Sequence, residues 1–150
     1  MVNSHDRKLI YSDNYRKLLP LFVEGGLEVH LNDEMPENLI TCIELVDAQS
    51  DELIGGAAVV RTDGRFVLKC LAVDDAHQGK RLGSDLVREV ISEVERNGGT
   101  ELWLSAKTPG FYRKLGFATV PMEEAPPVSK CLTCPRYQVD CNSEIMVYKL

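Results

Sequence analysis

The chain has 150 residues, 44% of them apolar, with 17 Lys and Arg against 23 Asp and Glu for a net charge of −6. A chain of that length buries about two-thirds of its unfolded surface, so one domain over residues 1–150 holds a core without disulfides. The acidic balance argues against a general nucleic-acid partner, which needs a broad basic surface. The longest apolar stretches fall short of the ~18 residues of a membrane span, and the start MVNSHDRK has no signal-peptide core, so a cytoplasmic protein away from membranes is expected.

In chain order, residues 12–24 read as a helix that Ser12 or Asp13 can cap, with Leu18, Leu19, Phe22 and Val23 at helical spacing and Pro20 set to bend or split it. Gly25-Gly26 stops it, and residues 39–46 read as a strand. Residues 52–61 and 65–73 form a hairpin around Thr62-Asp63-Gly64, where Asp-Gly suits a type I′ turn. Residues 82–96 place Leu86, Val87, Val90, Ile91 and Val94 on one face of an amphipathic helix that ends at Asn97-Gly98-Gly99. Then come a buried strand over 101–106, a short helix over 109–114, a strand over 117–120, a Pro- and Cys-rich loop over 121–142 and a closing strand over 143–150. The order predicts an α+β fold, a mixed sheet with helices on its faces.

Gln78-Gly79-Lys80-Arg81-Leu82-Gly83-Ser84 lies between the strand ending at Val73 and the long helix. A helix N-terminus offers unpaired N–H groups and partial positive charge, and Gly79 and Gly83 let an anion approach the main chain. An ordinary strand-to-helix turn with solvated Lys80 and Arg81 would have the same composition.

LKCLAVDDAHQGKRLGSDLVREVI resembles the signature of the Gcn5-related N-acetyltransferase (GNAT) superfamily, Gln/Arg-x-x-Gly-x-Gly/Ala between a strand and a long helix. Gln78 and Gly83 match it, whereas Arg81 replaces the usual first Gly and is expected at a φ angle ordinary residues hold. A second block, Gly110-Phe111-Tyr112-Arg113-Lys114-Leu115-Gly116-Phe117, is similar to the family's FYxKLGF motif. The resemblance covers residues 39–120 and implies the GNAT fold, a mostly antiparallel sheet of six to seven strands with helices on both faces. It also implies that the backbone of Leu71, Ala72 and Val73 pairs with the pantetheine arm of coenzyme A. Gln78, Gly79, Lys80, Arg81, Leu82, Gly83 and Ser84 would cradle the pyrophosphate. Ser105 stands where the family often carries Asn.

The implied activity is transfer of the acetyl group of acetyl-CoA to a primary amine, on a small molecule or a protein, by direct attack. An amine of pKa near 10.4 is neutral in only about one molecule in 2,500 at pH 7, so a base is required. Glu44, Glu28, His30 and Asp74 are candidates. A backbone N–H near Leu71 would hold the oxyanion, and Tyr112 is similar to the family's phenol donor to the leaving thiolate. Packing of a short helix on the sheet is the other reading of Tyr112.

Cys131, Cys134 and Cys141 form C-x-x-C-x6-C within the late loop and could provide three ligands to zinc, a redox pair, or free thiols. Cys42 and Cys70 lie in apolar strands and read as core residues. Two other functions stay open. One is a CoA-binding module without transferase activity, since the strand and loop also resemble the N-terminal region of citrate lyase ligases. The other is a Cys-cluster metal-binding interaction protein on this scaffold. The oligomeric state is open, a homodimer included.

Overall fold

Three strands, β2 (Leu39–Asp47), β3 (Leu53–Thr62) and β4 (Arg65–Val73), form the expected antiparallel meander. The computed structural model describes residues 7–25, 27, 29–74, 81–126 and 144–150. In the β3–β4 turn, Asp63 at φ 52° and Gly64 at φ 75° adopt the two positive angles of a type I′ hairpin.

The N-terminal reading needs correction. Residues Arg7–Ser12 form an edge strand, β1, antiparallel to β2, and the first helix, α1, spans Tyr15–Glu24. Ser12 ends the strand and does not cap the helix: its hydroxyl accepts the Asn14 N–H at 3.2 Å and donates to Glu44 at 2.6 Å. Asn14 is the N-cap residue, without a side-chain cap bond. Pro20 leaves the helix unbroken from an exposed position, while Tyr15, Leu18, Leu19, Leu21 and Phe22 are buried beneath it. An interior proline costs about 3 kcal/mol, which burial of several large apolar side chains at ~1.5–3 kcal/mol each offsets.

Helix α2 (Leu82–Arg96) crosses from β4 to β5 (Glu101–Ala106), which β4 pairs in parallel. The short helix α3 (Pro109–Lys114), the two-residue strand β6 (Ala118–Thr119), a 3₁₀ turn over Met122–Glu124 and β7 (Glu144–Lys149) complete the described residues. β6 is shorter than predicted because Phe117 turns into the core, 4% exposed. The sheet order is β1-β2-β3-β4-β5-β7-β6, with every pair but β4–β5 antiparallel. The architecture is thus the expected α+β type, a mixed, mostly antiparallel seven-stranded sheet with α1 on one face and α2 and α3 on the other.

Three buried clusters follow from that layering, the smallest being Val60, Val67, Trp103, Ile145 and Val147. Ile43, Leu45, Val59, Leu68, Leu102 and Leu104 pack beneath Leu82, Leu86, Val87, Val90 and Val94 of α2. On the opposite face Tyr15, Leu18, Leu19 and Phe22 cover Cys42, Ala58, Cys70 and Ala72. Cys42 and Cys70 are buried, free thiols, as their apolar neighbourhoods predict.

Candidate active site

The sheet is incomplete at one place. β4 and β5 pair only through Phe66 with Leu102 and Val67 with Trp103, and their ladder stops there. On its other edge β4 stays paired with β3 to the end, but the register slips: Ala58 faces Cys70 and Val59 faces Leu68, so Lys69 is an extra, bulged residue. A bulge bends its strand and increases its twist, which turns the rest of β4 away from β5. Leu71, Ala72 and Val73, the residues expected to meet the pantetheine arm, lie beyond the point of separation. Across the gap, Ser105 is half-buried and paired with Ile145 of β7.

The first turn of α2 stands at the mouth of the gap. A Cβ on Gly83 would lie 3.3 Å from Cζ of Phe111 on α3 and 4.0 Å from Cγ2 of Val73, so the glycine permits a close approach of three elements. Leu82 is buried in the α2 core and Ser84 is half-buried, so Leu82 has only its backbone to offer at the mouth of the gap. Arg81 corrects the expectation of ordinary φ. It is the N-cap residue at φ 60° and ψ 20°, the left-handed conformation that the family's glycine would hold freely. The turn imposes this angle on a side chain for which it costs roughly 1–2 kcal/mol. Gln78, Gly79 and Lys80, also expected in the cradle, lie outside the described residues.

Tyr112 approaches the gap from α3. Its ring sits edge-on to Phe111, with centroids 4.9 Å apart, and to Phe117 at 5.4 Å, and Phe117 in turn packs on Tyr148 at 5.3 Å. Burial pushes the Tyr112 phenol up to about 12, and the neighbouring Cys70 thiol adds to the shift. The group is therefore a neutral O–H donor at physiological pH. The rings pack Tyr112 as the packing reading expects, and its hydroxyl feels the Cys70 thiol of β4.

On the opposite face Tyr15 and Cys70 are buried in one cluster, close enough for each to shift the other's titration. Burial raises the Cys70 thiol to about 11 and the Cys42 thiol to about 12, so both stay protonated at neutral pH and neither is a thiolate nucleophile. The Tyr15–Cys70 contact and the Lys69 bulge escaped sequence reasoning. Only Lys69, a charge inside the apolar run from Phe66 to Val73, left a readable signal.

Of the four candidate bases, Glu44 is held elsewhere. It is 2% exposed, accepts from Ser12 at 2.6 Å and pairs with Lys17 at 2.7 Å. Its row runs through Gly56 to Ala72, and a Cβ on Gly56 would meet Leu18 at 2.8 Å, so Leu18 stands between Glu44 and the gap. His30 is exposed in the α1–β2 connection. Asp74 follows β4, and its N–H donates to the Ile54 carbonyl at 2.7 Å. Glu28 and the cluster Cys131, Cys134 and Cys141 lie outside the described residues. Among the described residues no three His, Cys, Asp or Glu side chains group to hold a metal, and no helix is long and apolar enough to cross a membrane.

A seven-stranded mixed sheet splayed at its one parallel pair, with a helix N-terminus at the mouth of the splay, is the α+β architecture that the GNAT resemblance implies. The acetyltransferase (GNAT) domain model matches residues 40–119, and the chain belongs to that family. The N-acetylglutamate synthase of Neisseria gonorrhoeae, solved with coenzyme A and N-acetyl-glutamate, is similar at TM-score 0.73 and 22% identity over 95% of this chain. This chain spans only 35% of that protein. A GNAT-family acetyltransferase of Staphylococcus aureus is similar at TM-score 0.76 and 15% identity, over 97% of this chain and 99% of its own. An acetyltransferase of Streptococcus agalactiae gives TM-score 0.69 and 16% identity over 99% and 100%. No curated protein sequence matches the chain significantly.

Proposed function

We propose that the protein is an acetyl-CoA-dependent N-acetyltransferase that passes the acetyl group directly to a primary amine. The observation that carries this reading is the parting of β4 from β5 after Val67. It leaves main-chain groups of Leu71 and Ala72 facing a slot in which the amides of a pantetheine arm would act as the missing strand. The first turn of α2, from Arg81 to Ser84, then receives the pyrophosphate at a helix N-terminus.

In the reaction the amine nitrogen attacks the thioester carbonyl, the C–N bond forms and the C–S bond breaks. A main-chain N–H near Leu71 stabilises the oxyanion, and the neutral Tyr112 phenol supplies a proton to the departing thiolate. Cys70, protonated beside them, takes no covalent part.

Isothermal calorimetry with acetyl-CoA, followed by thiol release across a panel of primary amines, tests the reading. Binding together with amine-dependent CoA release is expected. Binding without release from any amine would favour a CoA-binding module, and no binding would refute the site.

A further inference from the structure

We propose that Asp33 receives the acceptor's ammonium on the α1 side of the gap and that the acceptor is a primary amine carried on an apolar chain, an inference that rests on the acetyl-transfer reading above. The connection from α1 to β2 runs across the end of β4. A Cβ on Gly25 would lie 3.2 Å from the Ala72 Cβ, and Val29 is buried in one cluster with Tyr15, Cys70 and Ala72. Four residues after Val29, Asp33 closes a tight turn: its N–H donates to the His30 carbonyl at 3.0 Å, and its Oδ2 accepts the His30 N–H at 2.9 Å. The half-buried carboxylate is close enough to raise both the Tyr15 hydroxyl and the Cys70 thiol. Among the described residues no cation pairs with it, whereas Glu44, another acid of this face, has Lys17 at 2.7 Å.

The turn also displays apolar side chains on both sides of the acid. Leu31 is 62% exposed and Met35 48% exposed. An exposed apolar pair around one carboxylate without a cationic partner complements an ammonium at the end of an aliphatic or aryl-alkyl group. The ammonium gives one proton to Asp33, and the freed lone pair forms the C–N bond as the C–S bond breaks. The thiolate takes the Tyr112 proton, the amide nitrogen's surplus proton returns to Tyr112 through water, and Asp33 releases its own to solvent.

Steady-state kinetics with hexylamine, 2-phenylethylamine and ethanolamine test the assignment, using wild type, Asp33→Asn, Asp33→Glu and the double variant Leu31→Ser/Met35→Ser. Asparagine still accepts the His30 N–H, so the turn is retained. The wild type should prefer the two apolar amines by about tenfold in kcat/KM. Asp33→Asn should lose about 10²-fold with unchanged calorimetric affinity for acetyl-CoA, and Asp33→Glu should recover part of that loss. The double variant should erase the preference by lowering kcat/KM for the two apolar amines about tenfold. Turnover in Asp33→Asn equal to wild type, or preference for ethanolamine, overturns the proposal alone. Absence of acetyl-CoA binding to the wild type overturns the transfer reading and this proposal with it.

Discussion

The β2–β3–β4 meander and the β4–β5 junction are built from similar apolar segments yet end in different states. In the meander β2 and β3 have a bonded neighbour on both edges, with slips only at bulges, and among the described residues Glu44 is the one buried charged side chain. At the junction two residue pairs hold the strands together, and the bulge at Lys69 follows directly on the last of them. Buried main-chain groups without partners are costly, so a sheet that opens inside a domain is stable when something else completes its ladder. In this molecule the opening is flanked by the first turn of α2 and by Tyr112 on one face and by Cys70 on the other, the surroundings expected of a ligand site.

The contrast can be broken from either side. Gly83→Glu should have the largest effect, because the side chain would meet Phe111 and bring a negative charge to the pyrophosphate. CoA affinity should fall about 10³-fold by calorimetry while thermal unfolding is little changed. Tyr112→Phe keeps the ring stack and removes the proton donor, so kcat should drop about 10²-fold with the acetyl-CoA affinity intact; unchanged kcat would remove Tyr112 from the chemistry.

On the fully paired side, Lys17→Met strands the buried Glu44 carboxylate. It should cost about 1–3 kcal/mol in denaturant unfolding, below the value for a fully buried pair because Lys17 is half exposed, and leave CoA affinity untouched. Arg81→Gly releases the left-handed N-cap angle and should stabilise the free protein by up to about 1 kcal/mol.

Alkaline titration gives the most diffuse effect. Cys42, Cys70 and Tyr112 all have folded values above their ordinary ones, so their contribution to stability is complete below pH 9 and is lost as the pH rises toward 12. Cys70→Ala should flatten the part of that decline between about pH 9 and 11.

Much of the fold was legible because its elements carry their own signals. The periodicity of α2, the Asp63-Gly64 turn and the Pro109 start of α3 are local features, and those elements fall where they were read. β1 was not legible, since residues 8–11 are exposed on an edge strand and show no half-buried alternation; pairing with distant β2 defines it. Ser12 looked like a helix cap because its partner, Glu44, is far along the chain. The motif residues marked a candidate site, but the opening beside it depends on where the β4–β5 ladder stops, a three-dimensional property. Arg81 misled because the strand-to-helix turn, not the residue type, sets its angle.

Amide hydrogen exchange along β4 with and without coenzyme A tests the central claim most directly. The account predicts that CoA slows exchange in Leu68–Ala72, which lie beyond the last β5 pair, with little change in the meander pairs of β2. Binding of CoA with unchanged exchange across Leu68–Ala72 would contradict it.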